Sequence, residues 1–337
     1  MKALIYDRIK EVVEGLNPSI FGENERLTVG TIKSLSNGQN HDNYLIVVNG
    51  RKFLFRISAR SKNGIASAGA IRRYHIATEY ARLRSIEKLP FVPKAYYKNL
   101  SGGIIGRPFL ITDYIEGTTV KRVTSGDIVK FAKFFAMLHS INRDYGLDDI
   151  NLDRTFRTWT KNNIYYITEF PKFKSFTDDR FKAHLKNAYR EVATIKYKRT
   201  RTAVLHNDFS VSNLVRTRNG IKLIDWEGVS IGPPQYELAM IINKGKLSGN
   251  RLHLFLDTYI NRVEYKNPVL QLREYEMLFS LQRLCFLLNK VFTGHLEKSQ
   301  YDSDSRMYNS IKDIHYEFRY CKKLGLFPKD SLLHLSL

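Results

Sequence analysis

The apolar pattern changes period along the chain. Residues 1–25 read as an amphipathic helix followed by a loop containing Gly and Asn. Residues 27–35 (LTVGTIKSL) and 43–49 (NYLIVVN) are rich in β-branched and apolar positions and predict strands. The turn-forming cluster Ser36-Asn37-Gly38-Gln39-Asn40 lies between them. Asn49-Gly50 predicts a tight hairpin into a third strand, KFLFRIS at 52–58. Ile71, Tyr74, Tyr80, Leu83 and Ile86 fall at helical spacing across 70–88, and Pro90 stops that helix. Two more strands, at 94–98 and 107–114, are joined by a turn containing Gly102-Gly103.

After Gly117 the texture becomes helical. Residues 126–141 (GDIVKFAKFFAMLHSI) predict an amphipathic helix with Asp127 near its start, and 150–200 read as helical, aromatic and basic. Two short apolar strands, TAVLH at 202–206 and IKLIDW at 221–226, are separated by a turn at Asn219-Gly220. From about residue 235 the pattern is mostly helical. The fold class this predicts is α+β in two lobes. Residues 1–116 form a small antiparallel sheet with one helix and a leading helix, and 117–337 form a larger, mainly helical lobe. A length of 337 residues suits two lobes sharing a cleft, and 43% hydrophobic residues can supply their cores.

Composition narrows the setting. Cys285 and Cys321 are the only cysteines, which argues against a disulfide framework or a zinc site of cysteines and predicts a reducing, cytoplasmic location. The opening MKALIYDRIKEVVEGL carries charge throughout and lacks the apolar core of a secretory leader. No stretch approaches the roughly 18 apolar residues of a membrane span. Fifty-four Lys and Arg against 33 Asp and Glu give a net charge of +21, a field that attracts anionic small molecules or polyanions such as RNA. The basic residues are dispersed, with denser groups at Arg72, Arg73, Arg82 and Arg84 and at Lys196, Lys198, Arg199 and Arg201.

The strongest chemical signal is VLHNDFSVSNLV followed by GIKLIDWEG. It supplies His206, Asp208, Asn213 and Asp225 in that order, each next to an apolar strand. Phosphoryl transfer needs a carboxylate beside the attacking hydroxyl, and hard oxygen ligands for the Mg²⁺ that clamps the phosphates. The order matches the kinase template, in which a catalytic-loop Asp and Asn precede a metal-binding Asp. Asp208 is therefore expected to be the catalytic base, and Asn213 and Asp225 the Mg²⁺ ligands. His206 is expected to hold the loop by hydrogen bonds.

These residues resemble the aminoglycoside phosphotransferase and choline kinase superfamily, which has a protein-kinase-like fold. The resemblance covers about 27–245. The His206-Asn207-Asp208 and Ile224-Asp225-Trp226-Glu227 segments look closest to bacterial choline kinases. Gly232-Pro233-Pro234-Gln235-Tyr236-Glu237-Leu238-Ala239 is similar to the segment after the metal-binding Asp in that family. Ala136-Met137-Leu138-His139-Ser140-Ile141 is similar to a helix of its larger lobe. The resemblance implies a phosphate-covering loop at Ser36 to Asn43, with ATP contacts from Ser36, Asn37, Gly38 and Asn40. It also implies phosphate contact from Arg56, which Glu79 orients. Phe109 to Gly117 resembles the linker between lobes, placing Thr112 and Tyr114 beside the adenine.

The acceptor is less legible. Trp226 and Glu227 are candidate substrate contacts. A choline site needs an aromatic cage, and the tail segment Leu278-Phe279-Ser280-Leu281-Gln282-Arg283 lacks its tryptophans. A polycationic aminoglycoside needs an acidic pocket, for which Glu227, Glu237, Glu274 and Glu276 are candidates. Three functions stay open: a small-molecule kinase for an amino alcohol, sugar or aminoglycoside-like hydroxyl; a kinase for a large anionic substrate such as RNA; and a nucleotide-binding pseudokinase. For RNA, the basic and aromatic residues Tyr165, Tyr166, Lys172, Lys174, Tyr189 and Lys196 offer phosphate and stacking contacts. The intact Asp208, Asn213 and Asp225 argue against the pseudokinase.

Overall fold

The computed structural model describes residues 2–35, 41–58, 67–141, 145–148, 150, 158, 160–169, 178–198, 201–296, 304–331 and 333. The chain divides into two compact units. The first comprises Met1–Lys130, Arg143–Leu147 and His206–Val229, and the second Phe131–Asn142, Asp148–Leu205 and Ser230–Leu337. The segment from His206 to Glu227 thus belongs with the sheet, whereas a cut of the chain at 116/117 separates them.

In the first unit, helix α1 (Lys2–Glu14) precedes strands β1 (Val29–Ser34), β2 (His41–Val48) and β3 (Arg51–Ser58). Helix α2 (Ser67–Ser85) and strands β4 (Ala95–Asn99) and β5 (Phe109–Asp113) follow. The five strands form an antiparallel sheet in the order β1-β2-β3-β5-β4. The turn between β2 and β3 is the one Asn49-Gly50 predicts: both residues have positive φ, 46° and 79°, a type I′ combination that matches strand twist. Phe53, Phe55 and Ile57 alternate onto one face of β3 and pack with Ile46, Phe109 and Ile111. Ile9 and Val13 of α1, four positions apart and so on one helical face, close the same core. Phe55 stacks on Phe109 with ring centroids 4.8 Å apart.

A second sheet in this unit has the order β6-β8-β9, from β6 (Thr118–Thr119), β8 (Leu214–Thr217) and β9 (Gly220–Leu223). Here the structure corrects the expected strands. β9 ends at Leu223, short of Asp225 and Trp226, because Asp225 takes a left-handed conformation (φ 69°) in which a ladder cannot continue. Its partner β8 was not predicted, because only Leu214 and Val215 mark it as apolar. Helix α3 (Ser125–Ser140) starts on a reciprocal cap. The Asp127 N–H donates to Thr124 Oγ1 (3.2 Å), while the Asp127 carboxylate accepts the Thr124 N–H (2.8 Å). Arg216 of β8 donates to both oxygens of the same carboxylate, at 2.8 and 2.7 Å, and holds its pKa well below the usual carboxylate range.

The second unit contains helices α4 (Lys161–Glu169), α5 (Asp179–Thr194), α6 (Pro234–Lys244), α7 (Asn250–Ile260), α8 (Leu272–Leu296) and α9 (Asp304–Leu324), with the rest of α3. Strand β7 (Ala203–Leu205) pairs with β10 (Ser230–Gly232), so TAVLH finds its partner beyond the second predicted strand. Cys285 and Cys321 are free and buried, and burial pushes both thiols up. Among the described residues no helix is long and apolar enough to cross a membrane.

One buried carboxyl of this unit sets a pH dependence. Glu317 accepts from Asn243 Nδ2 at 2.7 Å and lies 3.0 Å from Arg283 Nε. Burial outweighs both and raises its pKa from 4.5 to about 7. The folded chain therefore holds the Glu317 proton more tightly than the unfolded chain, and stability falls as pH rises between those two values. Glu317→Gln carries no such proton. In denaturant melts, the wild type is expected to lose about 2–3 kcal/mol relative to the variant between about pH 5 and pH 8. Parallel pH profiles of the two proteins would rule this out.

Candidate functional site

Arg56 is placed by the hairpin. Counting back from the Asn49-Gly50 turn, Val48 faces Arg51, Asn43 faces Arg56 and His41 faces Ser58. On the next strand Thr112 faces Leu54. Because side chains alternate along a strand, Asn43, Leu54, Arg56 and Thr112 share the face opposite Phe55 and Ile57. The structure buries Arg56 at 8% exposure. Its Nη1 donates to Glu79 Oε1 of α2 at 2.6 Å and to Asp225 Oδ1 at 3.2 Å. Burial opposes the Arg56 charge, but Glu79 and Asp225 more than offset it and raise its pKa. Burial acts on Glu79 in the opposite sense, raising its carboxyl against the pull of Arg56.

The loop after β7 is held by its own backbone. His206, fully buried, donates from Nε2 to the carbonyl of Ile224 (3.1 Å) and accepts the Asp208 N–H at Nδ1 (3.3 Å). This fixes one tautomer and ties the loop to the segment carrying Asp225. Asn213 Nδ2 donates to the Asp208 carbonyl at 3.1 Å, and the Ile224 N–H to the Asn213 carbonyl at 3.0 Å. The amide nitrogen of Asn213 is thereby engaged, leaving its side-chain oxygen as an acceptor for a cation. This oxygen and the Asp225 carboxylate are both hard donors of the kind Mg²⁺ prefers. Asn207 (φ 59°) and Asp225 (φ 69°) both hold left-handed conformations, uncommon outside glycine and concentrated where a fold positions functional groups.

A cavity of about 270 Å³ opens beside Arg56, Glu79 and Asp225; Asp208 and Asn213 are not among its lining residues. Asn43, Arg56, Glu79, Thr112 and Asp225 supply polar lining, and Leu54, Leu83, Ile115, Val215 and Ile224 supply apolar walls. Tyr114 lines it as well. Among the described residues Asn43 Oδ1 and Arg56 Nε are buried without a hydrogen-bond partner, which points to a polar ligand. Trp226 is 1% exposed, donates its indole N–H to the Leu223 carbonyl (3.0 Å) and meets the His206 ring edge-on at 4.7 Å. Its ring braces the loop from within. Glu227 lies 3.9 Å from His41, which holds its carboxyl below the ordinary value. Ser36, Asn37, Gly38 and Asn40 lie outside the described residues.

Sequence reasoning ran the phosphate-covering loop through His41 to Asn43 but passed over these two as side chains on the face of Arg56. The hairpin rule alone could have found them, since the turn fixes which β2 residues share a face with Arg56. In the second unit it also missed the pairing of two motifs it had singled out. His139 Nε2 meets Glu237 Oε2 at 2.8 Å and His139 Nδ1 meets the Tyr259 hydroxyl at 2.8 Å, with His139 and Glu237 fully buried. Glu237 is therefore a structural partner of His139.

Residues 31–268 match the model of the phosphotransferase enzyme family. The chain belongs to this family. Among curated proteins it is 29% identical over 92 residues to a LicA homolog of Mycoplasma capricolum. It is 22% identical over 183 residues to a LicA homolog of Metamycoplasma hominis. These alignments span 27% and 54% of this chain, and only 31% and 66% of the relatives' own lengths. Among solved structures, a choline/ethanolamine kinase family protein from Mesorhizobium loti superposes with a TM-score of 0.62 at 14% identity, covering 96% of both chains. Choline kinase LicA from Streptococcus pneumoniae gives 0.62 at 14% identity, covering 96% of this chain and 99% of that one. A streptomycin–ATP complex of the aminoglycoside phosphotransferase APH(2")-IIa gives 0.58 at 19% identity, covering 85% and 90%. The phosphotransferase has the kinase-like fold, α+β, that its motifs imply.

Proposed function

We propose that this phosphotransferase moves the γ-phosphate of ATP to a hydroxyl of a small molecule, of the amino-alcohol, sugar or aminoglycoside class. The observation that carries this reading is the joining of Arg56, Glu79 and Asp225 beside a cavity, in the same unit as the His206-held loop of Asp208 and Asn213. In this reading residues 1–116 bind the nucleotide and 117–337 supply the catalytic loop and the acceptor contacts. Adenine lies along Thr112 and Tyr114, and Arg56, fixed by Glu79, binds phosphate oxygens. Mg²⁺, held by Asn213 and Asp225, would neutralise phosphate charge. Asp208 orients the acceptor hydroxyl and takes its proton as the new O–P bond forms and the bond to ADP breaks.

Transfer from labelled ATP across choline, ethanolamine, sugars, aminoglycosides, nucleosides and bulk tRNA tests this. A small-molecule product supports the reading. A labelled tRNA, with transfer that falls steeply as salt rises, would instead favour the large anionic acceptor, which the charge of +21 supports. ATP binding without transfer to any member of the panel would favour the pseudokinase.

A further inference from the structure

His41, Glu79 and Glu227 come together from three elements: β2, α2 and the turn after Asp225. One ligand atom from each lies within 4.8 Å of the others. His41 is 7% exposed and Glu79 4%. Among the described residues neither ring nitrogen of His41 has a hydrogen-bond partner, and Glu79 Oε2 has none either, although Oε1 is engaged by Arg56. Buried imidazoles and carboxylate oxygens are seldom left so, because each forfeits its hydration. The 3.9 Å between His41 Nε2 and Glu227 Oε2 is too long for a hydrogen bond. It is close to the roughly 3.4 Å that separates two ligands of a tetrahedral ion bound at about 2.1 Å.

Charge points the same way. One guanidinium, Arg56, is shared between the carboxylates of Glu79 and Asp225, and Arg82 donates to the backbone carbonyl of Glu227. We propose that His41, Glu79 and Glu227 bind a divalent cation of the zinc class, at a site distinct in its ligands from the Asn213 and Asp225 oxygens. One imidazole and two carboxylates suit Zn²⁺, whereas Mg²⁺ prefers oxygen ligands and its own water. The ion tethers β2, α2 and the turn after Asp225 at one point and fixes the carboxylate that orients Arg56.

The test uses the full chain, stripped with a chelator and free of nucleotide, and titrated with Zn²⁺ against a chromophoric indicator. The wild type is expected to hold one Zn²⁺ that His41→Gln and Glu227→Gln each weaken at least about 100-fold. Thermal melts of the metal-free proteins control for folding. Zn²⁺, but not the same concentration of Mg²⁺, should raise the wild-type Tm. Zinc K-edge absorption is expected to report one imidazole nitrogen and carboxylate oxygens, a readout independent of the variants. Zinc bound equally by all three proteins, no zinc bound by the wild type, or a sulfur-ligated zinc would each overturn the proposal.

Discussion

Asp208→Asn is expected to slow phosphate transfer by about 10³-fold or more while leaving ATP affinity within about twofold. The size follows from the role proposed for the carboxylate: it positions the acceptor hydroxyl and accepts its proton, and an amide does the second not at all. The selectivity follows from the hydrogen bonds. The loop is held through the Asp208 backbone, whose N–H goes to His206 and whose carbonyl accepts from Asn213. Both bonds survive a change of side chain. ATP contacts are expected from Arg56 and the cavity walls, which the substitution does not touch. Single-turnover transfer and equilibrium nucleotide binding, measured on the same preparation, separate the two effects. Transfer within tenfold of wild type would remove Asp208 as the base. Parallel loss of ATP binding would show that the loop itself had been disturbed.

The sheet was legible because its turns are. Asn49-Gly50 fixes the β2–β3 register, and that register alone sets Asn43 and His41 on the face of Arg56. The second small sheet was only half legible. IKLI carries a strand pattern that runs into Asp225, and nothing local in the sequence shows that this Asp leaves the ladder through a left-handed turn. The pairing of β7 with β10 joins residues about 25 positions apart in the chain, a non-local choice that apolar pattern does not encode. The same limit applies to His139 and Glu237. Each stood in a recognised motif, yet their bond spans 98 positions and follows only from helix packing. Chemistry was easier to read than geometry at the site, since His206, Asp208, Asn213 and Asp225 stand close in sequence, and hydrogen bonds tie the first three to one another and to Ile224. The ion pair of Arg56 with Asp225 joins residues 169 apart.

Asp225→Asn is the sharper test of the metal assignment, because it separates ligation from backbone strain. Asp225 sits at φ 69°, ψ 62°, a conformation that Asn adopts readily and Ala does not. The Ala variant therefore mixes two effects: a lost ligand and about 1 kcal/mol of backbone penalty. The Asn variant keeps the turn and the side-chain size but halves the number of anionic partners of Arg56, leaving Glu79 at 2.6 Å. Its unfolding free energy is expected to stay within about 1 kcal/mol of wild type, since the buried Arg56 keeps its bond to Glu79 and an amide oxygen can still accept from it. Its Mg²⁺-dependent transfer is expected to fall about 10²–10³-fold, the scale of removing one group that stabilises developing charge. Turnover measured against total Mg²⁺ should also require higher metal to reach its plateau. A variant with wild-type turnover and wild-type metal dependence would leave Asp225 only its bond to Arg56, and would move the search for the cation to other oxygens of the cavity.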